Sequence, residues 1–203
     1  TSTSEWTMFG RTLENNRFYP DSINMTDFGL LWSISIGNVG EKFIHTPVIY
    51  NNVVYVGGND SYLYGLNASN GNQLWNNTIN VSSSPAIADD KLYIGSMNDF
   101  AYSLNLTTGL QIWNQTLLNN SVSVGTPYLN SISSPLVSNG IVYFAKEYGP
   151  FFALNASNGN VIWNFSIAGS RYLFTQVISE GIIYLQDYGM TGINALNVTT
   201  GNP

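Results

Sequence analysis

The sequence predicts an all-β fold, a β-propeller of four-stranded antiparallel blades, and three observations predict it. Eleven residues are written almost twice, LNASNGNQLWN at 66–76 and LNASNGNVIWN at 154–164. Aligned on tryptophan, the motif L-N-x-[ST]-x-G-x-x-x-W-N recurs at 104–114, and a further copy opens with Leu196, Asn197 and Gly201. Upstream of each copy stands an apolar segment, a turn and a Tyr-bearing apolar run: TPVIYNNVVYVGG (46–58), SPAIADDKLYIGS (84–96), SPLVSNGIVYFAK (134–146) and TQVISEGIIYLQD (175–187). Units of about 40 residues with four short strands each have the period of a propeller blade.

Each element has a local reason. Asn51-Asn52, Asp89-Asp90, Asn139-Gly140 and Glu180-Gly181 lie between two β-branched runs, where a tight hairpin needs positive φ; Glu180 is the poor fit. A third strand follows, as at 62–66 and 151–154. Then comes a turn holding Gly71, Gly109, Gly159 or Gly201, and a fourth strand through Trp75, Trp113 or Trp163. Residues 29–37, GLLWSISIG, read as an orphan outer strand with its own Trp32. The chain therefore divides into a lead-in (1–28), the orphan strand (29–37), blade 1 (43–80), blade 2 (81–118), an inserted loop (119–131), blade 3 (132–168) and a blade 4 (170–203) lacking its last strand. The insertion explains why Trp113 follows Trp75 by 38 residues while Trp163 follows Trp113 by 50. Inter-blade loops commonly carry sites, so 119–131 is a functional candidate, with a tolerated surface loop as the alternative. Two closures fit the strand count. Residues 29–37 complete blade 4 in a small four-bladed ring, or the chain is the first half of a seven- or eight-bladed propeller.

Composition bounds the function. Charged residues are 9% of the 203, against roughly 25% in an average soluble protein. Aromatics at 14% and abundant Val and Ile argue for a folded core and against disorder. The six basic residues, Arg11, Arg17, Lys42, Lys91, Lys146 and Arg171, are scattered, and the net charge is −6. Nucleic-acid binding needs clustered cations and is not expected. No apolar run approaches the roughly 18 residues of a membrane span. The chain starts at Thr1, which suggests a processed or trimmed N-terminus. Without cysteine there is no disulfide and no thiolate metal site.

The repeat resembles the tryptophan-docking motif of pyrroloquinoline-quinone (PQQ)-type propellers, Ala-x-Asp-x-x-x-Gly-x-x-x-Trp. Trp75, Trp113 and Trp163 match, as do Gly71, Gly109, Gly159 and Gly201, while Asn67, Asn105, Asn155 and Asn197 stand where that family has Asp. The lead-in Glu5-Trp6-Thr7-Met8-Phe9-Gly10 is similar to that of secreted members. The resemblance implies that each Trp packs between neighbouring blades and each Gly makes the turn before the last strand. Three kinds of protein share the fold: quinoprotein dehydrogenases, membrane-assembly scaffolds and hydrolases of the tetrathionate-hydrolase type. The dehydrogenases carry a vicinal disulfide beside the quinone and a Ca²⁺ with an Asp base. A chain without cysteine is therefore not expected to hold PQQ.

Asn-x-Ser/Thr sequons occur at Asn24, Asn59, Asn67, Asn76, Asn80, Asn105, Asn114, Asn119, Asn155, Asn164 and Asn197. Chance placement of this chain's Asn, Ser and Thr gives about five, so the excess is about twofold. Seven of the eleven fall at two repeat positions, the L-N turn and the residue after Trp. Duplication of a polar turn explains that clustering but not Asn24, Asn59, Asn80 and Asn119. The expectation is an extracellular or cell-surface glycoprotein, since a glycan solubilises a surface without ionisable groups. Asn-rich, cysteine-free, charge-poor sequences of this kind resemble surface proteins of thermoacidophilic archaea. A surface with few carboxylates loses little in acid.

Candidate catalytic residues are sparse. The single histidine, His45, reads as a hydrogen-bonded surface or inter-blade residue, with a catalytic base as the second option. One acid follows the second strand of each unit: Asp60, Asp99, Glu147 and Asp187. If the blades superpose, these share one rim, where they could hold Ca²⁺ or simply bond their own backbone. Lys146, Glu147 and Tyr148, with Arg171 nearby, form the one local charge concentration, suited to an anion or to a surface ion pair. The sequence predicts a non-catalytic surface scaffold or interaction protein, with no bound cofactor. Its partners would be proteins or copies of itself, engaged through an exposed strand edge. The alternatives are a secreted hydrolase using Asp60, Asp99 or Asp187, and a quinoprotein dehydrogenase.

Overall fold

The computed structural model describes residues 29–37, 45–118, 132–147, 149–166, 173–187 and 192–203. Among them lie fifteen strands and no helix, so no helix is long and apolar enough to cross a membrane. The inserted loop 119–131 and the lead-in, including Asn24 and Asn119, lie outside the described residues, as do Tyr148 and Arg171.

Blade 1 is β1 (Val48–Tyr50), β2 (Val53–Gly57), β3 (Tyr62–Asn67) and β4 (Gln73–Thr78). Blade 2 is β5 (Ala86–Ala88), β6 (Lys91–Gly95), β7 (Phe100–Asn105) and β8 (Gln111–Thr116). Blade 3 is β9 (Leu136–Ser138), β10 (Ile141–Ala145), β11 (Phe151–Asn155) and β12 (Val161–Phe165). Blade 4 is β13 (Leu173–Ser179), β14 (Ile182–Asp187) and β15 (Ile193–Asn197). Each is an antiparallel meander in chain order, four-stranded in blades 1 to 3 and three-stranded in blade 4.

The hairpin turns are built as their residues demand. Asn51 and Asn52 have φ of 48° and 59°, and Asp89 and Asp90 have 48° and 55°, the mirror-image turn that matches strand twist. Asn139-Gly140 and Glu180-Gly181 repeat it. Glu180 adopts φ 50° despite its unfavourable side chain, because Ser179 pairs with Ile182 and the two-residue hairpin turns take positive φ at their first central position.

One rung recurs across strands 2, 3 and 4 of the complete blades. Tyr55 faces Gly65, which faces Trp75; Tyr93, Ser103 and Trp113 form the second rung, and Tyr143, Ala153 and Trp163 the third. The small central residue lets the two rings meet, at centroid separations of 5.8, 6.0 and 5.9 Å. A Cβ on Gly65 would stand 2.5 Å from the Trp75 ring. Just before each Trp the ladder slips by one residue, a bulge shared by all three blades. Leu74, Ile112 and Ile162 are the extra residues, and all are substantially exposed.

Residues 29–37 form no ladder among the described residues, where the sequence predicts an outer strand. A strand needs a hydrogen-bonded neighbour, and among the described residues this segment is anchored by side chains. Trp32 docks on blade 1, and Ile36 packs on Val56, Tyr64 and Leu66. Among the described residues β15 pairs with β14 alone.

Candidate functional site

The turn face of the molecule is organised around carbonyls that each accept two bonds from the neighbouring blade. Trp75 Nε1 and Tyr55 Oη donate to Leu106 O at 2.9 and 3.5 Å. Trp113 Nε1 and Tyr93 Oη donate to Ala156 O at 3.0 and 3.2 Å, and Trp163 Nε1 and Tyr143 Oη to Val198 O at 3.1 Å each. Trp32 Nε1 donates to Ala68 O at 2.9 Å, the same position in blade 1. The Trp rings lie flat against Gly71, Gly109, Gly159 and Gly201, where φ is 69–78° and an added Cβ would stand 2.5–2.7 Å from the indole. Glycine is required twice over, for backbone conformation and for space. Burial pushes the phenols of Tyr55, Tyr93 and Tyr143 up to about 12. Trp75, Trp113 and Trp163 thus serve the seams between blades, and Trp32 joins segment 29–37 to blade 1. The paired tyrosine is the partner that the sequence motif does not display, although a Tyr in every second strand was its signal.

The turn asparagines have a structural task. Asn67 Oδ1 accepts from Ser69 N, Asn105 Oδ1 from Thr107 N and Thr108 N, Asn155 Oδ1 from Ser157 N, and Asn197 Oδ1 from Thr199 N and Thr200 N, at 2.9–3.1 Å. A carboxamide oxygen caps this turn as an aspartate would, without adding charge. All nine sequon asparagines among the described residues reach solvent: Asn59, Asn67, Asn76, Asn80, Asn105, Asn114, Asn155, Asn164 and Asn197. Asn105 also lines a cleft of about 520 Å³ between blades 1 and 2, with Tyr50, Tyr55, Leu74, Trp75 and Asp90. A glycan on Asn105 would stand at this cleft.

The opposite, loop face carries the candidate acids. The β2–β3 connection and its counterparts are bracketed by Gly58 N to Tyr62 O, Ser96 N to Phe100 O and Lys146 N to Pro150 O. Within these equivalent loops Glu147 stands second, Asp60 third and Asp99 fourth, so the blades place them at three different points. Asp60 is held locally, accepting from Tyr64 Oη at 2.6 Å and Tyr62 N at 3.3 Å. The Tyr64 hydroxyl is pushed up to about 12 by burial and by that carboxylate. Asp99 meets Lys146 across the seam between blades 2 and 3 at 2.8 Å, with the two side chains 12% and 7% exposed. Where the sequence offered Lys146 for an anion or a surface pair, the structure buries it in an ion pair. Asp187 ends β14, paired with Leu173. Among the described residues no three His, Asp or Glu side chains converge where an ion could be held. His45 lies beside Val81, whose backbone it bonds, and burial holds its imidazole below the usual range.

One network on this face was not singled out in the sequence. Thr46 N donates to Ser84 Oγ at 2.7 Å and Ser84 N to Ser134 Oγ at 3.0 Å, linking three blades in series. Gln176 Nε2 extends it into blade 4, donating to Ser133 Oγ at 2.9 Å and Ser134 O at 2.7 Å. Its signal was the Thr-Pro or Ser-Pro pair that opens units 1 to 3.

The comparisons with known proteins agree with this architecture. No curated protein matches the sequence. Among solved structures, the quinohemoprotein alcohol dehydrogenase of Comamonas testosteroni is 18% identical with a TM-score of 0.78, over 98% of this chain and 40% of its own. BamB from Moraxella catarrhalis is 19% identical with a TM-score of 0.68, over 85% of this chain and 53% of its own. The computationally designed Ika4 protein is 14% identical with a TM-score of 0.65, over 85% of this chain and 99% of its own. At these identities the likeness is one of fold. The chain spans about half the length of BamB and less of the dehydrogenase. The model of the PQQ-type repeat family described as outer membrane protein assembly factor BamB matches residues 23–203, and the chain belongs to that family.

Proposed function

We propose that this chain is an extracellular, N-glycosylated propeller that acts as a non-catalytic scaffold in a cell-surface assembly or filament. The observation that carries it is the match over residues 23–203 to a family described as an assembly factor, and the β15 side of blade 4 is the candidate contact. Among the described residues its third strand β15 pairs with β14 alone, Ile193 is 72% exposed, and Ala195 is exposed where Gly65, Ser103 and Ala153 are buried. A strand edge with apolar side chains beside it is a site for strand addition by a protein partner or by another copy. The family description, an assembly factor, supports a protein-contacting role. The accessible sequons and the scarcity of charge support an extracellular setting, and the archaeal, acid-tolerant affinity belongs to the same proposal.

The test is photo-crosslinking on the native cell surface, with a benzophenone side chain at Ile193 and a control at exposed Leu110. A protein adduct at Ile193 alone, abolished by Asn194→Pro in the same strand, is the expected result. Equal labelling at both positions overturns the scaffold role. An intact mass unchanged by deglycosylation overturns the glycoprotein part.

A further inference from the structure

The seven repeat-position sequons separate into two structural classes. At the turn, Asn67, Asn105, Asn155 and Asn197 are explained without any modification, because each carboxamide closes its own turn. In the outermost strands no such task exists. Asn76, Asn114 and Asn164 stand within β4, β8 and β12, opposite Tyr64, Tyr102 and Phe152 on the third strands, and all three are exposed. Asn114 Nδ2 donates to Gln111 Oε1 at 3.3 Å on its own strand; among the described residues the other two side chains bond to no neighbour. Asparagine is depleted in strands, so the same costly choice in three blades asks for a reason.

The strands themselves supply it. β4, β8 and β12 are edges, QLWNNT, QIWNQT and VIWNF, and contain no charged residue. Soluble proteins ordinarily blunt such edges with lysine, proline or a bulge. Here the bulge at Leu74, Ile112 or Ile162 protects only the half nearest the turn, and leaves that aliphatic side chain 43–53% exposed. The regular half beyond it is where the acceptor lies, as Asn76-Asn77-Thr78, Asn114-Gln115-Thr116 and Asn164-Phe165-Ser166.

We propose that N-glycans on Asn76, Asn114 and Asn164 are the edge protection of this propeller, taking the place of the charges its outer wall lacks. A glycan at mid-strand covers the unpaired ladder groups and the exposed aliphatic before the Trp. It thereby confines strand pairing to edges without a mid-strand sequon, such as β15, whose sequon asparagine Asn197 ends the strand and caps the turn. The inference rests on the glycoprotein part of the proposed function and selects three acceptors from eleven.

Tandem mass spectrometry of intact glycopeptides, on protein from its own source, reads the sites directly; sugar is expected on all three strand acceptors. The triple variant Thr78→Ala/Thr116→Ala/Ser166→Ala removes those sequons and keeps the asparagines. By light scattering after gel filtration it is expected to have at least twice the parent's mass. Asn76→Lys/Asn114→Lys/Asn164→Lys, unglycosylated but charged, is expected to return the parent's protein mass. A control lacking the turn sequons (Ser69→Ala/Thr107→Ala/Ser157→Ala/Thr199→Ala) stays at the parent mass. Sugar on the turns alone overturns this inference and leaves the glycoprotein reading standing. No sugar anywhere overturns both. A triple Ala variant that keeps the parent's protein mass, with unchanged circular dichroism, overturns the protective role.

Discussion

The seam between blades 2 and 3 and the β15 side of blade 4 are built from the same repeat, yet among the described residues they differ in burial. Tyr93 and Ser103 are fully buried in the seam, whereas their counterparts Tyr184 and Ala195 are half-buried and exposed. The other end of the array behaves alike. Ile49 of blade 1 is 37% exposed, where Ile87 and Val137, its counterparts in blades 2 and 3, are 4% and 6%. In blades 1 to 3 the sheet alone does not bury its rung. The next blade does so, by offering a carbonyl for the two donors and a glycine for the indole to lie on. Stability in such an array is a property of neighbouring pairs more than of single sheets.

Four substitutions or conditions break or sharpen that contrast. Trp113→Ala empties a closed seam and is expected to cost about 3–5 kcal/mol, whereas Trp32→Ala, on a segment without a ladder, costs about 1 kcal/mol. Urea unfolding of both variants measures the difference; equal losses would mean that segment 29–37 is as integral as the seams. Asp99→Asn strands the Lys146 ammonium in a buried place and costs about 3 kcal/mol, while Asp99→Asn/Lys146→Met recovers most of it. A double-mutant cycle reads the coupling.

Alkaline pH acts on the same seams through the phenols. Tyr55, Tyr93 and Tyr143 ionise near 12 when folded and near 10 when unfolded. Their contribution is fully present below pH 10 and is lost as pH rises through 12, about 2 kcal/mol per tyrosine. Tyr93→Phe should flatten the fall in midpoint between pH 10 and 12 while lowering the midpoint at pH 8. The smallest effect lies outside the seams. Glu180→Asn relieves a left-handed backbone that the other hairpins give to Asn or Asp, and should raise stability by about 0.5–1 kcal/mol in the same unfolding assay.

The blades are legible along the chain. Two-residue turns rich in Asn, Asp and Gly, β-branched runs and a Gly four residues before each Trp are local instructions, and hairpins obey local chemistry. Trp75, Trp113 and Trp163 each lie on a glycine and bond a carbonyl of the next blade, and Trp32 makes the same two contacts on blade 1. The contacts across seams are set by folding, not by local pattern. The tyrosine that shares each Trp's carbonyl, the Thr46–Ser84–Ser134 chain and the Asp99–Lys146 pair join residues 38 to 63 positions apart. The acids that looked equivalent along the chain, Asp60, Asp99 and Glu147, fall at different loop positions because a turn's hydrogen bonds, and not its distance from a motif, set where a side chain stands. The same separation decides the asparagines. Spacing alone makes Asn105 and Asn114 equal sequons, and only the fold shows one capping a turn and the other facing solvent from an outer strand, because register assigns each residue to a face and an edge.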